Sequence, residues 1–189
     1  MGLREYDIRV EKKMKEKRKQ QLSLFLSQDY IDVKKDGRNI RNIKNPNKKL
    51  QKIAVQQTKY YMSKYHTCII AFIENPDEEI QELSVRISGQ TIAWINNPSF
   101  NIQRIAVNQD GCAISHIENP NDEIQKLAIK RYKKVVQYKM IKKLSKKVQE
   151  WFINQDPSNI LKIPANQLNK KLFDKYRYLF SMQRAGILN

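Results

Sequence analysis

Apolar and polar positions along this chain repeat in blocks. From Ile73 to Tyr138, three consecutive 22-residue segments read IENPDEEIQELSVRISGQTIAW, INNPSFNIQRIAVNQDGCAISH and IENPNDEIQKLAIKRYKKVVQY. They share branched aliphatics at positions 1, 8 and 13, Asn-Pro at 3 and 4, and Gln at 9. A fixed period of this kind marks stacked repeats, because a single unit cannot hide its apolar face alone.

Within one unit the pattern predicts a helix, a turn and a second, shorter helix. Asn75, Asn97 and Asn119 each precede a proline and a run of acids or amides, which predicts an Asn N-cap with proline at the first helical position. Asp77, Glu78 and Glu79 supply negative charge at the positive end of the helix dipole. Behind them Ile80, Leu83 and Val85, with their counterparts one and two units on, form an apolar face at helical spacing, and Ser84, Ala106 and Ala128 leave room for a close neighbour. Gly89 and Gly111 stand where a left-handed residue would end the first helix. Gln51, Gln81, Gln103 and Gln125 occupy one slot, which predicts a side-chain hydrogen-bond ladder between units or to the turn backbone.

The pattern fades outward, as terminal repeats do. Val33 to Pro46 matches Val107 to Pro120, giving an incomplete copy. The next Asn-Pro interval is longer, which predicts an insertion within Gln56 to His66. Ile153 to Pro164 echoes the same segment with Pro157 in place of glycine. Residues 3–27 are predicted as a helix whose first twenty residues project as a basic arm. Lys130 to Trp151 reads as one long helix, and Asn166 to Met182 as a terminal helix sealing the stack with Leu168, Leu172, Tyr176 and Leu179.

The Asn-Pro-started unit, with its Gln and Ala-Val positions, resembles the short HEAT-like or leucine-rich-repeat-variant α-repeats of bacterial and bacteriophage proteins. The resemblance covers Val33 to about Pro164 and implies a binding scaffold with no catalytic residues to carry over. The expected fold is all-α, a right-handed α-solenoid of short two-helix repeats. Its expected divisions are a basic helical arm (1–32), the repeat solenoid (33–165) and a C-terminal capping helix (166–189).

Charge changes this picture more than composition does. The net charge is +17 at pH 7, unevenly spread: two basic flanks enclose a mildly acidic middle between residues 61 and 120. In the arm, Lys12, Lys13, Lys15, Lys17, Arg18 and Lys19 are candidate phosphate contacts. Farther on, Lys139, Lys142, Lys143, Lys146 and Lys147 fall at i, i+3, i+4, i+7 and i+8, which on one continuous helix would make a lysine stripe suited to a phosphate backbone. Tyr60, Tyr61 and Tyr65 lie among lysines in the insertion, where they either stack on unpaired bases or cover a seam.

Four residues before each Asn-Pro proline stand Asn42, Phe72, Trp94 and His116. Phe72, Trp94 and His116 are therefore either a partner-binding strip or fillers between short helices. Cys68 and Cys112 are expected to be reduced packing residues. Cys112 with His116 falls two ligands short of a zinc site, so no metal or cofactor is expected.

No nucleophile–base pair, paired carboxylates or Gly-rich phosphate loop is present in the sequence, and a non-catalytic binding protein is expected. Its leading partner is nucleic acid or a nucleoprotein complex. The alternative is an adaptor or phage-encoded inhibitor that binds a host protein. A HEAT-like DNA glycosylase, with Trp94 near Asp110, is the minor enzymatic reading. No window is long and apolar enough to span a membrane, and MGLREYDIRV lacks the apolar core of a secretion signal, so a cytoplasmic location is expected.

Overall fold

The computed structural model describes residues 10–19, 23, 27–58, 60 and 68–187. All regular structure among them is helical, and no helix there is long and apolar enough to cross a membrane. The chain divides into two compact units, Met1–Pro76 and Asp77–Asn189.

In the first unit, residues 10–19 are helical and exposed on every face, with Met14 61% exposed. Of the rest of the helix expected over residues 3–27, Ser23 is helical and exposed, Ser27 caps the next helix, and the others lie outside the described residues. Helix α1 (Gln28–Lys35) is followed by a 3-10 helix, Gly37–Asn42, then by α2 (Lys48–Gln56) and a 3-10 helix, Ile69–Phe72. The copy expected to begin at Val33 is thus complete: α1 starts after Ser27, whose hydroxyl accepts the Tyr30 N–H.

The second unit repeats the same pair. Helices α3 (Glu78–Ile87), α4 (Phe100–Gln109) and α5 (Asp122–Arg131) pack side by side in succession, and 3-10 helices Gly89–Trp94 and Gly111–His116 run between them. Short α6 (Lys134–Gln137) precedes α7 (Lys146–Gln155) and the 3-10 helix Pro157–Lys162, and α8 (Lys170–Lys175) and α9 (Arg177–Arg184) end the unit. The second element of most repeats is therefore a single 3-10 stretch: six residues leave little length for an α-helix between one extended cap and the next.

The helix starts are equivalent, but the expected caps are displaced. Asn47, Asp77, Ser99, Asn121 and Ser145 are the N-caps, each accepting the backbone N–H three residues on. Asn45, Asn75 and Asn97 sit two residues earlier at φ 53°, 47° and 48°. These Asn-Pro asparagines make a left-handed bend that the short amide tolerates, the proline follows, and a polar residue after it caps the helix. Asn119 also precedes the cap by two residues but has no positive φ.

Gly89 and Gly111 are not left-handed either, among the described residues. They open the 3-10 helices, buried against the next repeat. A Cβ on Gly89 would overlap Ala106 O, and one on Gly111 would lie 3.0 Å from Arg131 Cβ and 3.2 Å from Ala128 O. Glycine here buys close approach rather than a turn. The small residues opposite follow for the same reason, since Ala54, Ser84, Ala106 and Ala128 are fully buried. Where the glycine is missing, at the α5–α6 turn, the corresponding residue of the next repeat is Phe152, 1% exposed.

The long helix expected from Lys130 to Trp151 is broken. Tyr132 leaves α5 extended at φ −149°, α6 makes one turn, and Lys139 reverses the chain at φ 56° with Met140 N–H bonded to Val135 O at 2.9 Å. Its apolar positions Val136, Leu144 and Val148 are buried all the same, while Met140 and Trp151 are half-buried. The predicted terminal helix is likewise two helices broken at Tyr176; of its sealing residues only Leu179 is buried, and Leu168, Leu172 and Tyr176 are half-buried.

The glutamine slot serves the turn backbone, and at Gln125 and Gln149 it also reaches the next unit. Gln51, Gln103 and Gln125 donate to the carbonyls of Pro46, Pro98 and Pro120 at 2.8, 3.0 and 2.9 Å. Gln149 belongs to the same series, donating to Leu144 O at 3.0 Å and accepting Asn169 N–H at 2.9 Å.

Candidate nucleic-acid interface

Between Glu123 and Glu150 the chain carries no acidic residue, and it carries Lys126, Lys130, Arg131, Lys133, Lys134, Lys139, Lys142, Lys143, Lys146 and Lys147. All but Lys126, which is half-buried, are exposed. The five lysines expected on one helical face do not share one. Lys139 is at the reversal, Lys142 and Lys143 are in the following bend, and Lys146 and Lys147 form the first turn of α7. What assembles them is a cationic turn wrapped around buried Val135, Val136, Ile141 and Leu144.

These charges are not neutralised by the fold. Lys146 Nζ lies 4.0 Å from Glu150, and no carboxylate pairs with the other four among the described residues. In equivalent slots α3 begins with Glu78 and Glu79 and α5 with Asp122 and Glu123, which complement the helix dipole. The start of α7 reverses the sign with Lys146 and Lys147, each costing about 0.3–1 kcal/mol at an exposed helix N-terminus. An anion near that turn would remove the repulsion and meet the helix end as well.

Aromatic rings are interleaved with the cations. Lys126 and Lys130 ammonium groups lie 5.7 and 5.9 Å from the centroid of the half-buried Trp151 ring. Tyr138, between α6 and Lys139, is 54% exposed. The spacing of the five lysines marks the region in the sequence but gives neither the turn that groups them nor Tyr138 beside it. Beside it, Arg104, Lys126 and Lys130 line a 360 Å³ groove with Asn108, Glu123 and Leu127, and Arg131 bonds to Asn108 Oδ1.

The arm lysines Lys12, Lys13, Lys15, Lys17 and Lys19 and Arg18 belong to the first unit and are exposed throughout the helix over residues 10–19. Tyr60 is 53% exposed, while Tyr61 and Tyr65 lie outside the described residues.

The expected strip has two different settings. In the first unit Phe72 is half-buried beneath the Arg41 guanidinium, 5.5 Å from its ring centroid. In the second, Trp94 is 42% exposed and His116 is exposed, each ending its 3-10 helix. His116 Nε2 lies 2.8 Å from Gln90 Oε1, and Gln90 Nε2 donates to Asp110 Oδ2 at 2.6 Å. Asp110 also accepts the Cys112 N–H, so its carboxylate is held by cap and side-chain bonds. Burial, then the Asp110 charge and hydrogen bond, raise the Cys112 thiol pKa. Cys68 is buried and Cys112 half-buried; no cluster of three metal-ligating side chains occurs among the described residues.

No family model, curated protein or solved structure matches the chain. The chemistry of the site therefore rests on this geometry alone: a surface that holds concentrated positive charge at a hydrogen-bonded turn and exposes aromatic carbon beside it.

Proposed function

We propose that the protein is a non-catalytic binding protein, an α-solenoid of short HEAT-like repeats that grips nucleic acid or a nucleoprotein complex through its lysine-rich surfaces. The observation that carries the reading is the acid-free interval between Glu123 and Glu150, whose lysines other than half-buried Lys126 are exposed and, apart from the distant Lys146–Glu150 pair, lack carboxylate partners among the described residues. Phosphate contacts of this kind release condensed counterions, so affinity falls linearly with salt on logarithmic axes. Lys12 to Lys19 add a second cationic surface with the same chemistry.

Fluorescence anisotropy with a labelled oligonucleotide at several salt concentrations tests this. The expected result is a steep negative salt slope, reduced when Lys142 and Lys143 are both changed to Ala. Binding that is absent, or indifferent to salt, overturns it.

One observation favours protein recognition as the second reading. Trp94 exposes 42% of its surface and its indole N–H has no partner among the described residues, with exposed His116 one repeat on. Such an aromatic suits a protein interface anchor. A partner retained after nuclease and high salt, and lost on Trp94→Ala, supports this reading; loss of every partner after nuclease removes it.

A further inference from the structure

We infer that the nucleic acid taken by the cationic turn is single-stranded, and that Tyr138 is the platform on which one of its bases stacks. The inference rests on the proposed nucleic-acid reading and narrows its substrate.

Tyr138 closes α6, donating its backbone N–H to Lys134 O at 2.9 Å, and the next residues are tied by Lys139 N–H to Val136 O at 3.1 Å and Met140 N–H to Val135 O at 2.9 Å. The backbone beneath the ring is therefore fixed by consecutive hydrogen bonds over the buried Val135 and Val136. The ring itself has no hydrogen bond, aromatic neighbour or cation over its face among the described residues. That sets it apart from Trp151, whose face is taken by Lys126 and Lys130, and from Tyr30, with Lys34 5.7 Å from its centroid.

An exposed aromatic ring on a hydrogen-bonded turn, flanked in sequence by Lys133, Lys134, Lys139, Lys142 and Lys143, combines the two requirements of single-strand binding. Cations track the phosphates, and a flat ring receives an unpaired base of any identity. A duplex keeps its bases stacked on each other and offers this ring little beyond sugar and phosphate.

The test is anisotropy titration of the full chain with a labelled 12-nucleotide oligothymidine and a 12-base-pair duplex, each at two salt concentrations, using about twelve units so that several contacts fit. The expected result is tighter binding of the single strand. Tyr138→Ala weakens it roughly tenfold, a typical loss for one stacked base, with the salt slope unchanged. Tyr138→Phe keeps the affinity, since the ring and not the hydroxyl is used. Lys142→Ala with Lys143→Ala lowers the single-strand slope by about 1.4, two phosphates at about 0.7 each.

Equal or tighter duplex binding, or an unchanged single-strand affinity in a Tyr138→Ala protein whose circular dichroism matches the parent, overturns the inference and leaves the nucleic-acid reading standing. Failure to bind either probe overturns both.

Discussion

Gln125 Oε1 accepts the backbone N–H of Ser145 at 3.0 Å while its Nε2 donates to Pro120 O at 2.9 Å, so one buried amide closes its own turn and holds the cap of the following helix. Gln149 does the same with Leu144 and Asn169. Among the described residues the Gln103 side chain makes only the bond within its own turn. The two amides that reach the next cap precede the longer intervals, Asp122 to Lys146 and Lys146 to Lys170, whereas Gln103 precedes the shorter repeat that follows it.

These bonds therefore predict unequal losses. Gln125→Ala leaves both backbone groups unpaired in a buried site and destabilises the protein by about 1–3 kcal/mol, whereas Gln103→Ala costs about 0.5–1.5 kcal/mol. Urea unfolding midpoints of the two variants check the order; equal losses would mean the inter-repeat bond contributes nothing.

Gly89→Ala forces a methyl into Ala106 O and brings it 3.0 Å from Gln109 Oε1, the acceptor of the Gly89 N–H. The backbone carbonyl cannot swing away as a side chain can, so the expected loss is at the upper end of about 1–3 kcal/mol for overpacking. Gly111→Ala, whose nearest contact is Arg131 Cβ at 3.0 Å, loses less. Thermal melts of both variants decide it.

Asn97 is left-handed at φ 48°, and Asn119, at the same place one repeat later, has no positive φ. Asn97→Ala costs about 1–2 kcal/mol because a Cβ without a polar end resists that conformation, while Asn97→Gly is close to neutral. Asn119→Ala, exposed and free of this constraint, stays within about 0.5 kcal/mol. Chemical denaturation of the three variants distinguishes them, and a large loss at Asn119 would refute the backbone explanation.

Lys139 holds φ 56° at the reversal before the lysine bend. Lys139→Gly relieves the strain and raises stability by up to about 1 kcal/mol. The same change removes a cation, and the single-strand salt slope falls by about 0.7. Opposite signs for stability and binding, read by denaturation and anisotropy on one sample, would show a residue retained for its charge.

For Cys112, burial first and Asp110 second raise the folded thiol pKa above its ordinary value. A raised thiol pKa gives stability that is fully present below the unfolded value and is lost as pH rises through the folded one. Labelling of Cys112 by a thiol reagent, followed by peptide mass, should be slower near neutral pH than for a free cysteine and accelerate on the alkaline side. Asp110→Asn should speed it at fixed pH; an unchanged rate would remove Asp110 from the cause.

Much of the local structure was legible because it depends on neighbours in sequence. The period from Ile73 onward located the helices, and the apolar positions Ile80, Val85, Ile102, Val107, Ile124 and Ile129 are all buried. The predicted caps lie two residues early because Asn-Pro is itself a helix-start signal, whereas here it makes the bend that leads into the capping residue. No glycine or proline interrupts Lys130 to Trp151, so the spacing there predicts one long helix. The chain instead breaks at Tyr132 and reverses at Lys139, with Val135, Val136 and Ile141 buried between and beyond the two bends.

The repeat, its helical content, most of its inward aliphatics and its charge asymmetry follow from residue type and spacing along the chain, although Leu83, Ile105 and Leu127 of the predicted face are half-buried. Why Gly89 is glycine, which amide reaches the next repeat, and how the lysines after Lys130 are grouped do not follow from them. Those depend on how closely separate segments approach, a distance set by packing rather than by local backbone preference.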